Sequence, residues 1–235
     1  AARLAPAVER TFALMDAWEF NGRGLVYVPQ SGDWADEYDL HGYVLMDQVL
    51  RVAALRAWAA VAPDGGASMR QADRLEPIIA ATFWPGDADD PAHVYHARAH
   101  ESAPRRPYPF AALTPAGYTD RFDALGSALA LSLTDLWPDR APALLDEGAR
   151  LGAGNPAGLV PAFAPTIGPG DPAYAALEGS VRDRFSNRPG HYHNGGLWPF
   201  VNGWWACALA RHGRLAEART LADRIDAANA QTVDG

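Results

Sequence analysis

A polar loop runs directly into an amphipathic helix in residues 31–56, whose sequence is SGDWADEYDLHGYVLMDQVLRVAALR. Apolar residues recur after the loop at the spacing of one helical face, which predicts a helix with that face in the core. These apolar residues are Val44, Leu45, Leu50, Val52, Ala53, Leu55 and Trp58. The segment therefore joins a polar loop to a helix that should be buried on one side.

This acidic loop combines four carboxylic acids with two aromatic residues. They are Asp33, Asp36, Glu37 and Asp39, with Trp34 and Tyr38 among them. Aromatic rings can cover the apolar faces of a sugar, while carboxylates bind hydroxyl groups or transfer protons. The alternative is a structural role, in which the acidic loop caps the following helix near its positive end. Composition by itself favours the capping role.

The overall composition excludes several classes of protein. The chain has 235 residues, of which 49% are hydrophobic, and a formal net charge of −8 at pH 7. Residues 1–235 fit one large domain, and the negative charge argues against binding to nucleic acid or to an anionic membrane surface. No stretch is apolar and long enough to span a membrane. The single cysteine, Cys207, is predicted to be a buried thiol, and a cytoplasmic location is expected.

Helical patterns alternate with loops along the chain, and this alternation predicts an all-α fold built from helical hairpins. Helices are expected at residues 1–19, 43–62, 68–80, 120–136, 142–151, 173–185, 201–211 and 215–228. Residues 84–119 and 159–172 are expected to be long irregular loops. The sequence contains no glycine-rich phosphate loop after a strand and no Gly-x-Ser-x-Gly nucleophile turn. Both ends lack the usual signals, so we expect a segment of a longer protein.

Three histidines lie close together in the sequence, at His93, His96 and His100. Imidazoles at this spacing on one helical face could share a metal ion. However, Pro91 and Pro104 bracket the segment, and no second cluster of ligands completes the set. A group of surface or loop histidines is therefore the preferred interpretation, and no metal site is predicted.

A second unusual loop begins at residue 187, and residues 187–205 read NRPGHYHNGGLWPFVNGWW. Paired glycines let a backbone approach a ligand closely, and histidine and asparagine offer donors and acceptors to hydroxyl groups. The alternative is a loop that starts a helix, with its tryptophans in the core and its asparagine as a cap. The density of glycine, histidine and tryptophan favours a binding role.

Together the two loops resemble a family of carbohydrate-active enzymes. One block of the alkaline/neutral invertases is similar to Asp33-Trp34-Ala35-Asp36, Gly42-Tyr43-Val44-Leu45, Gln48 and Ala54-Leu55-Arg56. Glycogen-debranching-type α-glucosidases and glucosylglycerate hydrolases have a related block. The YHNGGxWP block of the same group resembles Tyr192-His193-Asn194-Gly195-Gly196 with Trp198-Pro199. The family's middle helix, which usually has Gly-Asn, resembles Asp123-Ala124-Leu125-Gly126-Ser127.

The resemblance implies an (α/α)6 toroid, incomplete in this chain, that hydrolyses α-glycosides with inversion of configuration. Asp36 would be the general acid, because aromatic and poorly solvated surroundings raise a carboxyl pKa and preserve its proton. The family's general base lies in a loop after the final hairpin, so it is expected beyond Gly235. Substrate-binding residues would be Asp33, Trp34, Tyr43, Gln48, Tyr192, His193, Asn194, Gly195 and Trp198.

Three functions remain open from the sequence. The first is an inverting glycoside hydrolase that cleaves a small α-glucoside or an α-1,6-glucosidic linkage and needs no cofactor. The second is a catalytically incomplete carbohydrate-binding module, because no glutamate matches the family's base. The third is a sugar epimerase, which would use histidines such as His193 as acid and base. In each case the expected partner is a small carbohydrate, and the oligomeric state is open.

Overall fold

The computed structural model describes residues 3–86, 89–180 and 184–231. Within these residues the helices are α1 (Ala5–Ala17), α2 (Leu45–Val61), α3 (Gly66–Phe83), α4 (Ala97–Ser102), α5 (Ala124–Leu133), α6 (Ala141–Gly152), α7 (Tyr174–Gly179), α8 (Pro199–Arg211) and α9 (Leu215–Asn229). The strands are β1 (Tyr43–Val44), β2 (Phe110–Thr114), β3 (Gly117–Asp123) and β4 (Phe163–Ala164).

The four strands form one antiparallel sheet in the order β1-β2-β3-β4. Strands β2 and β3 make a hairpin in which Phe110 lies opposite Phe122 and Thr114 lies opposite Gly117. Strand β1 pairs with β2, and β4 pairs with β3. The fold is therefore mixed α/β, and the prediction of an all-α (α/α)6 toroid of helical hairpins is wrong.

The sheet is difficult to recognise in the sequence because its strands lack an alternating pattern. Four of the five residues of β2 are buried, so the strand reads as a continuous apolar run. Strands β1 and β4 have two residues each, which is too short for any periodicity. Strand β3 runs directly into α5 at Asp123, so the helix predicted from residue 120 begins at Ala124.

Most of the helices lie where the apolar spacing predicts them. Helix α2 fills the predicted range 43–62 to within two residues at each end. Helices α8 and α9 form the expected hairpin, and Gly213 adopts a φ of +78° in the turn between them. Helix α3 continues through Pro77. Of the helix predicted at 173–185, the described residues contain α7, and residues 181–183 lie outside the described residues.

Helices α2 and α5 link the other elements of the core. Helix α2 packs against α3 and α5, α5 packs against α8, and α8 packs against α9. Two buried side chains of α2 also hold the segment before the acidic loop. Gln48 bonds to the backbone N–H and carbonyl of Val26 at 2.9 and 2.8 Å, and Arg51 donates to the Gly24 carbonyl at 2.7 Å. The segment that leads into the acidic loop is thereby attached to α2.

The histidine segment does not form one helical face. His96 is the N-cap of α4, and its Nδ1 accepts a hydrogen bond from the Ala99 N–H at 3.1 Å. His100 Nε2 lies 2.8 Å from an oxygen of Asp89, and His93 precedes the helix. In the part of the chain that the structure describes, no group of three or more His, Cys, Asp or Glu residues could hold a metal ion.

Two further features concern the surface of the molecule. Cys207 on α8 is exposed, so the prediction of a buried thiol is wrong. Among residues 3–86, 89–180 and 184–231, none of the helices combines the length and the apolar content that a bilayer span requires.

Candidate active site

Two loops that are far apart in the sequence meet in a group of aromatic rings. Trp34 from the acidic loop packs edge-on against His193 and Trp198, with 4.9 and 5.7 Å between ring centroids. Phe163 stacks on Trp34 at 6.1 Å, and Phe200 contacts it at 5.2 Å. We term this group the aromatic cluster, and it consists of Trp34, Phe163, Tyr192, His193, Trp198 and Phe200.

The acidic loop places two carboxylates at the rim of the aromatic cluster. Asp33 Oδ1 accepts a hydrogen bond from the Ala35 N–H at 2.7 Å, which closes a tight turn. Asp36 follows this turn and is exposed, in contrast to the poorly solvated surroundings expected of it, and Glu37 is half-buried. Burial raises the pKa of Tyr192, and the charges of Glu37 and Asp36 raise it further, so both carboxylates lie near this ring.

Two buried asparagines hold the second loop in shape and attach it to the first. Asn187 accepts hydrogen bonds from the N–H groups of His193 and Asn194 at 3.0 and 3.2 Å. It also donates to the carbonyl of Glu37 at 2.7 Å. Asn194 donates to the Ile167 carbonyl at 2.8 Å and accepts from the Ile167 N–H at 2.7 Å. Asn187 therefore joins the two loops directly.

Gly195 and Gly196 are required by the turn itself. Gly195 has a φ of +90°, and a Cβ atom there would lie 2.4 Å from Cγ2 of Thr166. A Cβ atom on Gly196 would lie 2.1 Å from the Tyr192 carbonyl oxygen. Because a side chain at either position would displace the loop, its close packing accounts for both glycines without a ligand.

Three of the residues predicted to bind substrate are engaged in the scaffold. Tyr43 packs against Tyr27 and Tyr95, with ring centroids 5.6 and 4.6 Å away. Gln48 and Asn194 have almost no exposed surface, and their amide groups bond to backbone groups. The predicted residues that the structure brings together are Asp33, Trp34, Asp36, Tyr192, His193 and Trp198.

Three carboxyl groups lie close together beneath the acidic loop, and we term them the carboxyl cluster. Asp33 belongs to the loop, and Asp47 lies in the first turn of α2. Asp123 caps α5 by accepting a hydrogen bond from the Gly126 N–H at 2.9 Å. In each carboxyl group, Oδ2 is buried and finds no donor within the described residues.

Burial is the main reason why the carboxyl cluster retains protons near neutral pH. Burial raises the pKa of Asp33 and of Asp47, and the charge of Asp33 raises the pKa of Asp47 further. Burial also raises the pKa of Asp123 to about 8, with an additional contribution from Asp33.

His193 is neutral at physiological pH. Burial lowers its pKa to about 4, although the nearby charge of Asp36 opposes this shift. Its ring is stacked on Trp198 at 5.5 Å, and its Nδ1 has no hydrogen-bond partner in the described part of the chain. A histidine with this pKa is a poor proton donor at pH 7.

An apolar cavity of about 290 Å³ lies elsewhere, between α6, α8 and α9. Its lining includes Leu145, Trp205 and Leu221, and it contains none of the residues predicted to act on a substrate. We place the candidate site at the aromatic cluster, because exposed rings and carboxylates meet there.

Three residues of the site, Asp47, Asp123 and Asn187, were not predicted from the sequence. Asp123 carried a signal, because an aspartate immediately before an apolar helical run is a typical N-cap. Asp47 carried none, since acidic residues are common in the first turn of any helix. Asn187 is the first residue of the second loop, but its role depends on a hydrogen bond to Glu37 at a distance of 150 residues.

Two comparisons with known proteins found no match for this chain. No protein-family model matches it, and a search of curated proteins found no match. Support for a function therefore comes from the geometry of the site and from the resemblance of its two loops.

Replacement of Asp123 by asparagine should remove a pH-dependent loss of stability. The folded-state pKa of about 8 lies above the ordinary value of 3.8, so stability falls as the pH rises through this range. Asparagine keeps the acceptor for the Gly126 N–H but cannot ionise. Between pH 4 and pH 8, the variant should gain on the order of 5 kcal/mol in free energy of unfolding relative to the unchanged protein.

Urea denaturation at several pH values would measure this difference. The matched control is Asp64→Asn, at an exposed position between α2 and α3. If the difference in free energy of unfolding between Asp123→Asn and the unchanged protein stayed constant across the pH range, the raised pKa of Asp123 would be contradicted.

Substitution of Asn194 by alanine should destabilise the whole protein. It would leave the N–H and carbonyl of Ile167 and the carbonyl of Asn187 without their partner. Each unpaired buried group costs about 1–3 kcal/mol, so we expect a loss of about 3 kcal/mol or more in denaturant unfolding. Asn229→Ala at the exposed end of α9 is the control. Unchanged stability together with lost saccharide binding would instead assign Asn194 to the binding surface.

Proposed function

We propose that the chain is an inverting glycoside hydrolase that binds a carbohydrate at the aromatic cluster and uses Asp36 as general acid. The observation that carries this proposal is the exposed Asp36 carboxylate beside Tyr192 and His193. Rings with a carboxylate at their rim match a sugar, which has apolar ring faces and polar hydroxyl groups. The resemblance of both loops to invertases and related α-glucosidases supports the reaction type, although the fold class expected from it is wrong.

The exposure of the apolar side chains supports contact with a ligand. Phe200 and the neighbouring Leu197 are 46% and 38% exposed, and Tyr192 and Trp198 are half-buried. Exposed large apolar side chains beside carboxylates are typical of a binding surface. A pyranose could pack one face on this surface while its hydroxyl groups reach Asp36.

Inverting hydrolysis needs two carboxyl groups that stand roughly 6.5–9.5 Å apart. Asp36 would donate a proton to the leaving oxygen, and a second carboxylate would activate water on the opposite face of the sugar. The resemblance implies that this base belongs to the loop that follows the final helical hairpin in the family. Glu37 is the carboxylate beside Asp36 at the rim, so it is the first alternative base to test.

A carbohydrate-binding site without catalysis is the second candidate. It is favoured by the burial of the carboxyl cluster, which leaves Asp36 and its neighbour Glu37 as the carboxylates at the rim in the described chain. An epimerase has less support, because the pKa of His193 is about 4.

The substrate class under the main proposal is a small α-glucoside or an α-1,6-linked glucoside, and a cytoplasmic location belongs to the same proposal.

The substitution Asp36→Asn should lower kcat at least 100-fold, because an amide cannot donate the catalytic proton. KM should change only a few-fold, since the amide still binds hydroxyl groups. Reducing-sugar release from sucrose, glucosylglycerate, maltose and isomaltose would measure the effect. Asp64→Asn is the control, and Glu37→Gln tests the neighbouring carboxylate.

The outcomes of this assay separate the candidate functions. If kcat of the Asp36→Asn variant were within a few-fold of that of the unchanged protein, the assignment of Asp36 as general acid would be wrong. Saccharide binding without turnover by the unchanged protein would favour the binding module.

The substitution Phe200→Ala should weaken saccharide binding about tenfold without unfolding the protein. The ring is 46% exposed and adjoins Trp34 and Trp198, so its loss removes apolar contact area for the sugar. Titration calorimetry with the same saccharides would measure the affinity. Phe20→Ala is the control, because Phe20 is 68% exposed and packs against Tyr27 instead. Equal effects of both substitutions would argue against a sugar surface at the aromatic cluster.

A further inference from the structure

A basic cavity adjoins the aromatic cluster at Tyr192, which belongs to both. Its volume is about 560 Å³, and it is lined by Arg184, Phe185, Ser186, Arg188, His191 and Tyr192. The lining offers two guanidinium groups, an imidazole and two hydroxyl groups, and none of these lining residues is acidic. The chain as a whole has a formal net charge of −8 at pH 7, so the charge of this cavity is opposite in sign to that of the chain.

Within the part of the chain that the structure describes, the side chains of the two arginines of the basic cavity are not bonded to other parts of the fold. Arg184 and Arg188 are exposed, and neither forms a hydrogen bond or an ion pair through its side chain within residues 3–86, 89–180 and 184–231. Several of the other arginines pair with carboxylates, as in Arg106–Asp120, Arg121–Asp171 and Arg214–Glu217. Two guanidinium groups that have no partner among the described residues, and that lie beside one cavity, are well suited to bind an oxyanion.

The backbone that carries the basic cavity is organised before any ligand binds. The carbonyl of Arg188 accepts from the His191 N–H at 2.8 Å, which closes a turn. The Gly190 N–H donates to the Asn194 carbonyl at 2.8 Å, and the buried Asn187 ties the same loop to the acidic loop. A loop held in this way loses little conformational entropy when it binds a ligand.

Tyr192 connects the basic cavity to the carboxylates of the acidic loop. Its side chain lines the cavity, and its ring lies 4.0 Å from His193 and 5.4 Å from Trp198, centroid to centroid. The charges of Glu37 and Asp36 act on the same side chain. An anionic group in the cavity would therefore be adjacent to a sugar ring on the aromatic cluster.

We propose that the basic cavity binds the phosphate group of a phosphorylated sugar whose ring packs on the aromatic cluster. This proposal rests on the proposed function and narrows its substrate to phosphorylated carbohydrates. A phosphate monoester carries nearly two negative charges at pH 7 and three acceptor oxygens, which match two guanidinium groups, the His191 ring and the Ser186 hydroxyl. A carboxylate carries one charge, so it would leave one guanidinium group without an anionic partner.

Titration calorimetry on the full chain with six probes tests the proposal. The probes are glucose, glucose 1-phosphate, glucose 6-phosphate, gluconate, inorganic phosphate and inorganic sulfate. We expect one of the two sugar phosphates to bind at least tenfold more tightly than glucose and than inorganic phosphate. The double variant Arg184→Gln/Arg188→Gln should lose at least tenfold in affinity for that sugar phosphate. The control is Arg219→Gln, which removes an exposed arginine on α9.

Several outcomes would overturn the proposal. If the double variant bound both sugar phosphates as tightly as the unchanged protein, the basic cavity would not be the site that binds the phosphate group. If gluconate bound as tightly as the sugar phosphates, the anionic group that the cavity recognises would be a carboxylate instead of a phosphate. Inorganic phosphate or sulfate that binds as tightly as the sugar phosphates would mean that the cavity holds a free ion only. Circular dichroism and the thermal midpoint would establish that the double variant is folded.

The failure of this proposal is distinguishable from the failure of the proposed function. Tight binding of a sugar phosphate without any glycosidase activity would leave the basic cavity intact and contradict the hydrolase. Hydrolysis of neutral α-glucosides without a preference for a phosphate group would contradict the cavity and leave the hydrolase intact.

Discussion

The arrangement of the candidate site depends on the hydrogen bonds that the buried Asn187 makes to the backbone. Its amide nitrogen donates to the carbonyl of Glu37, and its oxygen accepts from the N–H groups of His193 and Asn194. One short amide side chain supplies a donor to one chain segment and an acceptor to the other, and it pairs the buried N–H groups of His193 and Asn194. The aromatic cluster forms where these two segments meet.

The carboxyl cluster beneath the acidic loop lowers the free energy of unfolding when its carboxyl groups ionise. Asp33, Asp47 and Asp123 converge where the loop, α2 and α5 begin, and burial raises the pKa of each. Ionisation of these groups lowers stability, so the folded protein tolerates a cost that apolar residues would avoid. Costs of this kind are common at functional sites, and this one lies directly under the loop that carries Asp36.

The helices were predictable from the sequence, whereas the sheet was not. Helix α2 follows from the apolar spacing after the acidic loop, because each turn of a helix is specified by residues three or four positions apart. Strand β2 is buried along nearly its whole length, and its apolar run is equally compatible with a buried helix or loop. Its pairing with β3 on one side and with the two-residue β1 on the other depends on tertiary contacts.

The sequence by itself determined the two loops and the side chains that they contain, among them Trp34, Asp36 and Tyr192. Only the tertiary structure decided that Gln48 and Asn194 belong to the scaffold, and that Asp47 and Asp123 lie beside Asp33. The physical reason is the range of the interactions. Helical spacing and turns involve near neighbours in the chain, whereas burial and the choice of a hydrogen-bond partner can involve groups 150 residues apart, as in the bond from Asn187 to the Glu37 carbonyl.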